Sequence, residues 1–281
     1  VHASGPVRTG DYIHQGLETP HPYPTSGEAE AMLTWADQVT FPGASYIKLH
    51  FSRFELAPGD SVVIRWLSRE QEYTYTGRGP RGLGAEPGGF YGTMLWGDTA
   101  EIELYTTGDT SGYGFAIDHF IRGFSEGDLE YFWSHGFSDP RDIMLPSAAE
   151  SACTAVDYEN AICYETSHPE IYDHARAVIR LHIGSSACTG WLIGNAGHVM
   201  TNEHCIGSQS NLNSTDFEFM AEGTTCDQNC DSWGACPGPI EASGGTVVQI
   251  DSPLDYSLVL PDTSGHGGTD PARHRLQPQL L

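Results

Sequence analysis

Cys188-Thr189-Gly190-Trp191-Leu192-Ile193, followed by His198-Val199-Met200-Thr201-Asn202-Glu203-His204-Cys205, is the stretch on which the reading of this chain turns. Two apolar runs of strand length flank a short turn containing Gly194 and Gly197, the pattern of an antiparallel hairpin. A His-Cys pair stands where the second run ends. A disulfide between Cys188 and Cys205 would staple the two strands and fix the backbone beside His204. The closed loop has 16 intervening residues, for which loop-closure entropy gives about 3 kcal/mol of stabilisation. Fixing matters because an imidazole acting as a general base must stay within about 2.6–3.2 Å of its partner.

The strand pattern continues on both sides. Upstream, Ile179, Leu181 and Ile183 alternate with Arg180 and His182. Downstream, residues 246–250 and 256–260 read as strands, the second opening on Leu254-Asp255-Tyr256-Ser257-Leu258-Val259. Strict alternation is the mark of a half-buried strand. After Asp262 the periodicity stops, and residues 263–281 read as a disordered or aberrant tail.

These two motifs resemble the trypsin-like (chymotrypsin-fold) serine proteases. That family carries a C-[ST]-G…T-A-A-H-C segment around its catalytic histidine and a D-[IFY]-[AS]-L-[LV] strand around its triad aspartate. The resemblance implies that His204 is the general base and that Asp255 accepts its ring N–H, selects the tautomer and stabilises the imidazolium. Asn202-Glu203 departs from the two small residues of the pattern. More narrowly, residues 150–262 look like secreted oomycete and bacterial proteases related to lysyl endopeptidases. By that likeness Cys163 bonds into the cluster of Cys226, Cys230 and Cys236, the pairing within it left open, while Cys153, whose counterpart in those relatives bridges to the C-terminal part of the domain, is expected to lack its partner here. The nucleophile of the family sits in a Gly-[Asp/Asn/Ser]-Ser-Gly-[Gly/Ser]-Pro loop. Only 26 residues follow Asp255 and none spells it, so no nucleophile is assigned and the chain as given is expected to be inactive. Lys- or Arg-specific cleavage would be analogy alone.

Ahead of this region the chain contains no cysteine. Residues 1–40 are polar and His/Pro-containing and read as a flexible lead-in. From Ser45 onward Ile47, Leu49 and Phe51 alternate with Lys48, His50 and Ser52, and Val62, Ile64 and Trp66 alternate after a Pro58-Gly59-Asp60 turn. Further strands are expected at residues 72–76, 99–105 and 112–118, with residues 77–92 a long Gly-rich loop. Short strands at this spacing predict a β-sandwich over 41–124, where Phe41-Pro42-Gly43-Ala44-Ser45-Tyr46-Ile47 and Gly97-Asp98-Thr99-Ala100 resemble CUB-like jelly-roll domains. Residues 125–150 read as a linker, and 151–262 as a partial trypsin-like domain.

The expected fold class is therefore all-β: an N-terminal sandwich, then the first barrel and part of the second of a chymotrypsin-like double β-barrel, which would leave a sheet edge open. The expected function is a secreted serine-type endopeptidase acting on protein or peptide substrates. The alternative is a non-catalytic protease-like module that binds protein or glycan. With 37 Asp and Glu against 13 Lys and Arg, a formal charge of −24, the surface repels nucleic acid and anionic lipid. The clustered cysteines and the Asn213-Ser214-Thr215 sequon fit an extracellular, oxidising compartment. No cofactor and no metal are assigned. C-x3-C-x5-C at Cys226, Cys230 and Cys236 is a poor zinc pattern, and Asp98, Asp109 and Asp118 border loops as any acidic sequence would arrange them.

Overall fold

A computed structural model describes residues 6–66, 71–128, 159–230 and 234–264. The chain is all-β and divides into two compact units. One is built from residues 10–123, the other from residues 1–9 and 124–263. Cys153, most of the 125–150 linker and residues 265–281 lie outside the described residues.

After the two-residue strand β1 (Val7–Arg8), which belongs to the second unit, come β2 (Gly10–Glu18), β3 (Met32–Thr40), β4 (Tyr46–Glu55), β5 (Ser61–Trp66), β6 (Glu72–Thr76), β7 (Phe90–Tyr91), β8 (Leu95–Trp96), β9 (Thr99–Thr106) and β10 (Gly114–Gly123). They form two antiparallel sheets, β2-β10-β4-β7 with β8 on β4, and β3-β9-β5-β6. The core is aromatic: Phe51, Phe54, Phe115 and Phe120 are fully buried together with Ile47, Leu49, Ile64 and Ile102. This corrects the lead-in expected for residues 1–40. β2 and β3 are nine-residue strands, hidden in the sequence because they bury little: only Gly10 in β2 and Val39 in β3 are fully buried, so no apolar alternation marks them. Residues 77–92 are likewise not a structureless loop. Pro80–Ala85 is a 3-10 helix, and Gly89 runs so close to β4 that a Cβ there would lie 1.9 Å from the Phe51 carbonyl oxygen.

The second unit is a single sheet of β11 (Val178–Ile183), β12 (Ser186–Ile193), β13 (His198–Thr201), β14 (Thr215–Phe219), β15 (Ile240–Ser243), β16 (Gly245–Asp251) and β17 (Tyr256–Pro261), with β1 paired to β12. Its order is β15-β14-β11-β12-β13-β17-β16. β15 and β16 are one segment bent at Gly244, so the two ends of that order meet and the sheet closes. At the corner Gly244 N donates to Thr215 O on β14 at 2.7 Å, and Asp262 N, just past β17, donates to Gly244 O at 3.1 Å. Gly245, at φ 152°, has no room for a side chain: a Cβ would stand 2.3 Å from Leu260 O. Short helices α1 (Pro169–Ala175) and α2 (Gln209–Asn213) pack beside the sheet. Among the described residues every strand beyond residue 177 belongs to this one closed sheet. The expected strands of a second barrel, and the open edge they would leave, are not found there. Closure removes the edges that an unfinished sheet would expose.

Inside the barrel lie Ile179, Leu181, Ile183, Val199, Leu212, Phe217, Phe219 and Val259. β14 was not evident in the sequence because all five of its residues are buried, Asp216 and Glu218 included. Glu218 is tolerated because it is fully bonded. It accepts from Arg180 Nε (2.6 Å) and Nη2 (2.8 Å), from His182 Nε2 (2.6 Å) and from Gly238 N (2.7 Å). Burial alone would raise its pKa, but the His182 and Arg180 hydrogen bonds and the Arg180 charge hold it down at about 2.

A paired charge of this kind contributes little when complete and costs much when broken, because removing one partner strands the other. Glu218→Gln should therefore lower the unfolding free energy of this unit by about 3–5 kcal/mol in urea titrations. The folded carboxyl titrates lower than the unfolded one. Its stabilisation is thus present above the unfolded pKa of about 4.3 and is lost as pH falls toward 2. The wild type should lose melting temperature through that window, and Glu218→Gln should show a flatter acid limb.

Candidate active site

The register of β13 against β17 sets Thr201 opposite Ser257 and Met200 opposite Leu258. The chain leaving β13 therefore emerges at the same rim where β17 begins, three residues after Thr201 and two before Ser257. His204 and Asp255 occupy those positions. The turn between is firm. Cys205 N and Ile206 N both donate to Asn202 O at 3.2 Å, and buried Ser257 donates its hydroxyl to Ile206 O at 2.6 Å. Thr201 Oγ1 donates to Thr189 O at 2.7 Å and ties the end of β13 to β12.

Cys188 and Cys205 are joined by a disulfide with Cα atoms 6.1 Å apart, which fixes the residue after His204 to the middle of β12. Two other bridges are present, Cys163–Cys226 and Cys230–Cys236. The sequence had placed Cys163 in that cluster without resolving the partner. Cys188, His204 and Cys205 lie close enough to suggest a metal group, but both sulfurs are spent in the bridge and cannot act as thiolate ligands.

His204 Nδ1 stands 2.8 Å from Asp255 Oδ2 and 3.0 Å from Oδ1. The carboxylate also accepts the His204 backbone N–H at 3.1 Å and the Asn202 side-chain amide at 3.2 Å. The His204 backbone hydrogen bond, then the side-chain bond and the proximity of the ring, pull the Asp255 pKa below its ordinary value against a smaller opposing effect of burial. Asp255 adopts φ 50°, a left-handed conformation that aspartate tolerates better than most residues, and this turns its side chain back toward the histidine. With Nδ1 committed to a carboxylate, the proton sits there and Nε2 carries the lone pair. Among the described residues no hydrogen bond reaches Nε2, and the side chain is 29% exposed.

Asn202 is the residue whose role the motif did not reveal. In the sequence it stood out as a departure from a small residue; in the fold it supplies one of the donors that orient Asp255. Glu203 makes no hydrogen bond to the pair. Its carboxylate lies over Gly207, 3.0 Å from where a Cβ would be. A cavity of about 480 Å³ in this unit is lined by Val178, Arg180, Cys188, Thr189, Met220 and Glu222; His204 and Asp255 do not line it.

Three comparisons bear on this geometry. Residues 151–264 match the family model of the lysyl endopeptidase C-terminal domain. A curated relative, secreted RxLR effector protein 73 of Plasmopara viticola, is 34% identical over 251 residues, which is 84% of this chain and 58% of that protein. The chain thus spans little more than half the length of that relative. Among solved structures, the full extracellular region of zebrafish Gpr126/Adgrg6 aligns with 43% of this chain and 15% of its own at 18% identity and a TM-score of 0.29, too slight a likeness to bear on fold or function. Residues 151–264, which hold His204, Asp255 and the three disulfides found among the described residues, are thus the part of the chain that is similar to the lysyl endopeptidase C-terminal domain.

Proposed function

We propose that this protein is a secreted serine-type endopeptidase by descent, with His204 as general base and Asp255 as the residue that orients it. The observation that carries the reading is the carboxylate–imidazole contact at 2.8 Å, held by a disulfide on one side and an amide donor on the other. In acyl transfer such an imidazole takes the nucleophile's proton at Nε2 and returns it to the leaving amine. The carboxylate keeps the ring in the correct tautomer and stabilises the charge that develops on it. The match to the lysyl endopeptidase domain supports the same reaction class. Disulfides and the secreted relative support an extracellular setting. Substrates would be proteins or peptides. The 281 residues supply the acid–base half of the apparatus but no Gly-x-Ser-Gly-[Gly/Ser]-Pro nucleophile loop, whose backbone donors commonly form the oxyanion hole. The chain by itself is therefore read as inactive.

A second reading rests on the effector relative. In it the β-sandwich and the barrel form a binding module that kept the protease-like frame without the chemistry. Labelling with a fluorophosphonate separates the two. The 281-residue chain should not be labelled and should not cleave casein. A longer product that does carry a Gly-x-Ser-Gly-[Gly/Ser]-Pro loop should be labelled. In that product Asp255→Asn should cut kcat by about 10⁴-fold while casein affinity changes little. An extended product that is never labelled, or one indifferent to Asp255→Asn, would favour the binding module.

A further inference from the structure

The N-terminal sandwich carries a second constellation, away from both motifs. β10 pairs with β4 so that Ile117 faces Phe51 and His119 faces His50, which leaves Asp118 as an extra residue with no partner in the ladder. Against β2 the register also shifts between Ile117 and His119, there with two residues of β2, Gln15 and Gly16, opposite Asp118. Strict alternation would send Asp118 and His119 to opposite faces of the sheet. The bulge instead brings both to the side of His50, as bulges do where a side chain must be re-aimed. Asp118 Oδ1 lies 2.6 Å from His50 Nδ1 and 3.0 Å from His119 Nδ1. The two imidazoles stack with centroids 4.3 Å apart. One donor atom from each of the three residues lies within 4.8 Å of the others.

The far side of each ring is also occupied. His50 Nε2 sits 2.8 Å from the Gly88 carbonyl oxygen, and His119 Nε2 sits 2.9 Å from the Tyr91 hydroxyl. Both nitrogens of His50 therefore face oxygens that accept. A doubly protonated ring meets two such oxygens with its two N–H groups; a ring with an ion at Nδ1 meets them with its remaining N–H at Nε2 on Gly88 O and the carboxylate sharing the ion. Metal-bound histidines have this form, with one nitrogen on the ion and the other donating to a carbonyl or an equivalent oxygen.

We infer that His50 Nδ1, His119 Nδ1 and an Asp118 carboxylate oxygen form a binding site for a divalent transition metal of the zinc class. Two imidazoles and a carboxylate suit zinc, whose ligands sit about 2.0–2.2 Å from the ion with a water completing the tetrahedron. Ligands at that radius stand about 3.4 Å apart, so the Asp118–imidazole contacts need to open by less than an ångström. Asp118 is half exposed, with 51% of its side chain accessible, which leaves a route for the ion from solvent. His50 and His119 are largely enclosed at 10% and 13%, which holds their orientation. The acidity of the chain, −24 overall, raises the local cation concentration.

The test is metal uptake by the whole 281-residue chain, purified without metal and titrated with zinc chloride by calorimetry, then with cobalt chloride to read coordination from its visible bands. We expect one ion per chain and tetrahedral cobalt bands. His119→Gln and Asp118→Asn should each weaken uptake by at least about 100-fold, and Tyr91→Phe, which touches only the supporting hydrogen bond, by about 10–100-fold. His168→Gln, in the other unit, should bind as wild type. Melting curves recorded without metal check that the variants are folded, and those of His119→Gln and Asp118→Asn should not shift at zinc concentrations that raise the wild-type melting temperature. No stoichiometric uptake, or uptake indifferent to both His119→Gln and Asp118→Asn in folded protein, would overturn the assignment.

Discussion

The pairing of Thr201 with Ser257 across β13 and β17 is the constraint from which the site of the second unit follows. Two segments more than fifty residues apart in sequence are placed on one rim by a single antiparallel register. Once that register is set, His204 and Asp255 have little freedom to be anywhere else. A slip of one residue would turn every side chain of β17 to the other face, sending Val259 out of the barrel and Leu258 into it. The apolar core therefore selects the register, and the register selects the dyad geometry. Closure through the Gly244-Gly245 corner has the same effect at the far side of the sheet, because β14 and β17 are each bonded to the bend.

Much of this was legible in the residues. The alternation of Ile179, Leu181 and Ile183, the hairpin from Cys188 to Cys205, and the strand opening at Asp255 predicted β11, β12, β13 and β17 nearly to their ends. What alternation cannot show is a strand whose outward face is also buried. β14 carries Asp216 and Glu218 at positions a solvent-facing strand would also use, and only the fold reveals that Arg180, His182 and Gly238 are waiting for Glu218. The number of barrels was misjudged for a related reason. The family pattern implied a second barrel begun by the later strands, whereas pairing of β16 with β17 and of β15 with β14 uses those strands to finish the first.

In the sandwich, the positions of β4, β5, β6 and β9 and the start of β10 were legible, as in the alternation of Ile47, Leu49 and Phe51 and of Val62 and Ile64, which bury one face in an aromatic core; the two-residue strands β7 and β8 were not. The failures lie where backbone geometry departs from the regular period. Asp118 read as an acidic residue at a loop border because an alternating strand has no place for it. The bulge supplies that place, and a bulge leaves no signature that one sequence can display. Asn202 was obscured differently: its residue type was visible, but its use as a donor depends on the left-handed turn at Asp255.

The two histidine sites differ in one respect that separates their chemistry. In both, a carboxylate set by an irregular backbone position orients an imidazole through Nδ1. At His204 the other nitrogen meets no hydrogen-bond partner among the described residues and lies on a partly exposed rim, as a base must if it is to receive a proton from another group. At His50 the other nitrogen is already spent on Gly88 O, and Nδ1 faces Asp118 in the gap beside His119. With an oxygen already against each nitrogen, the ring has no open side from which to take a substrate's proton, and the inferred ion would occupy Nδ1.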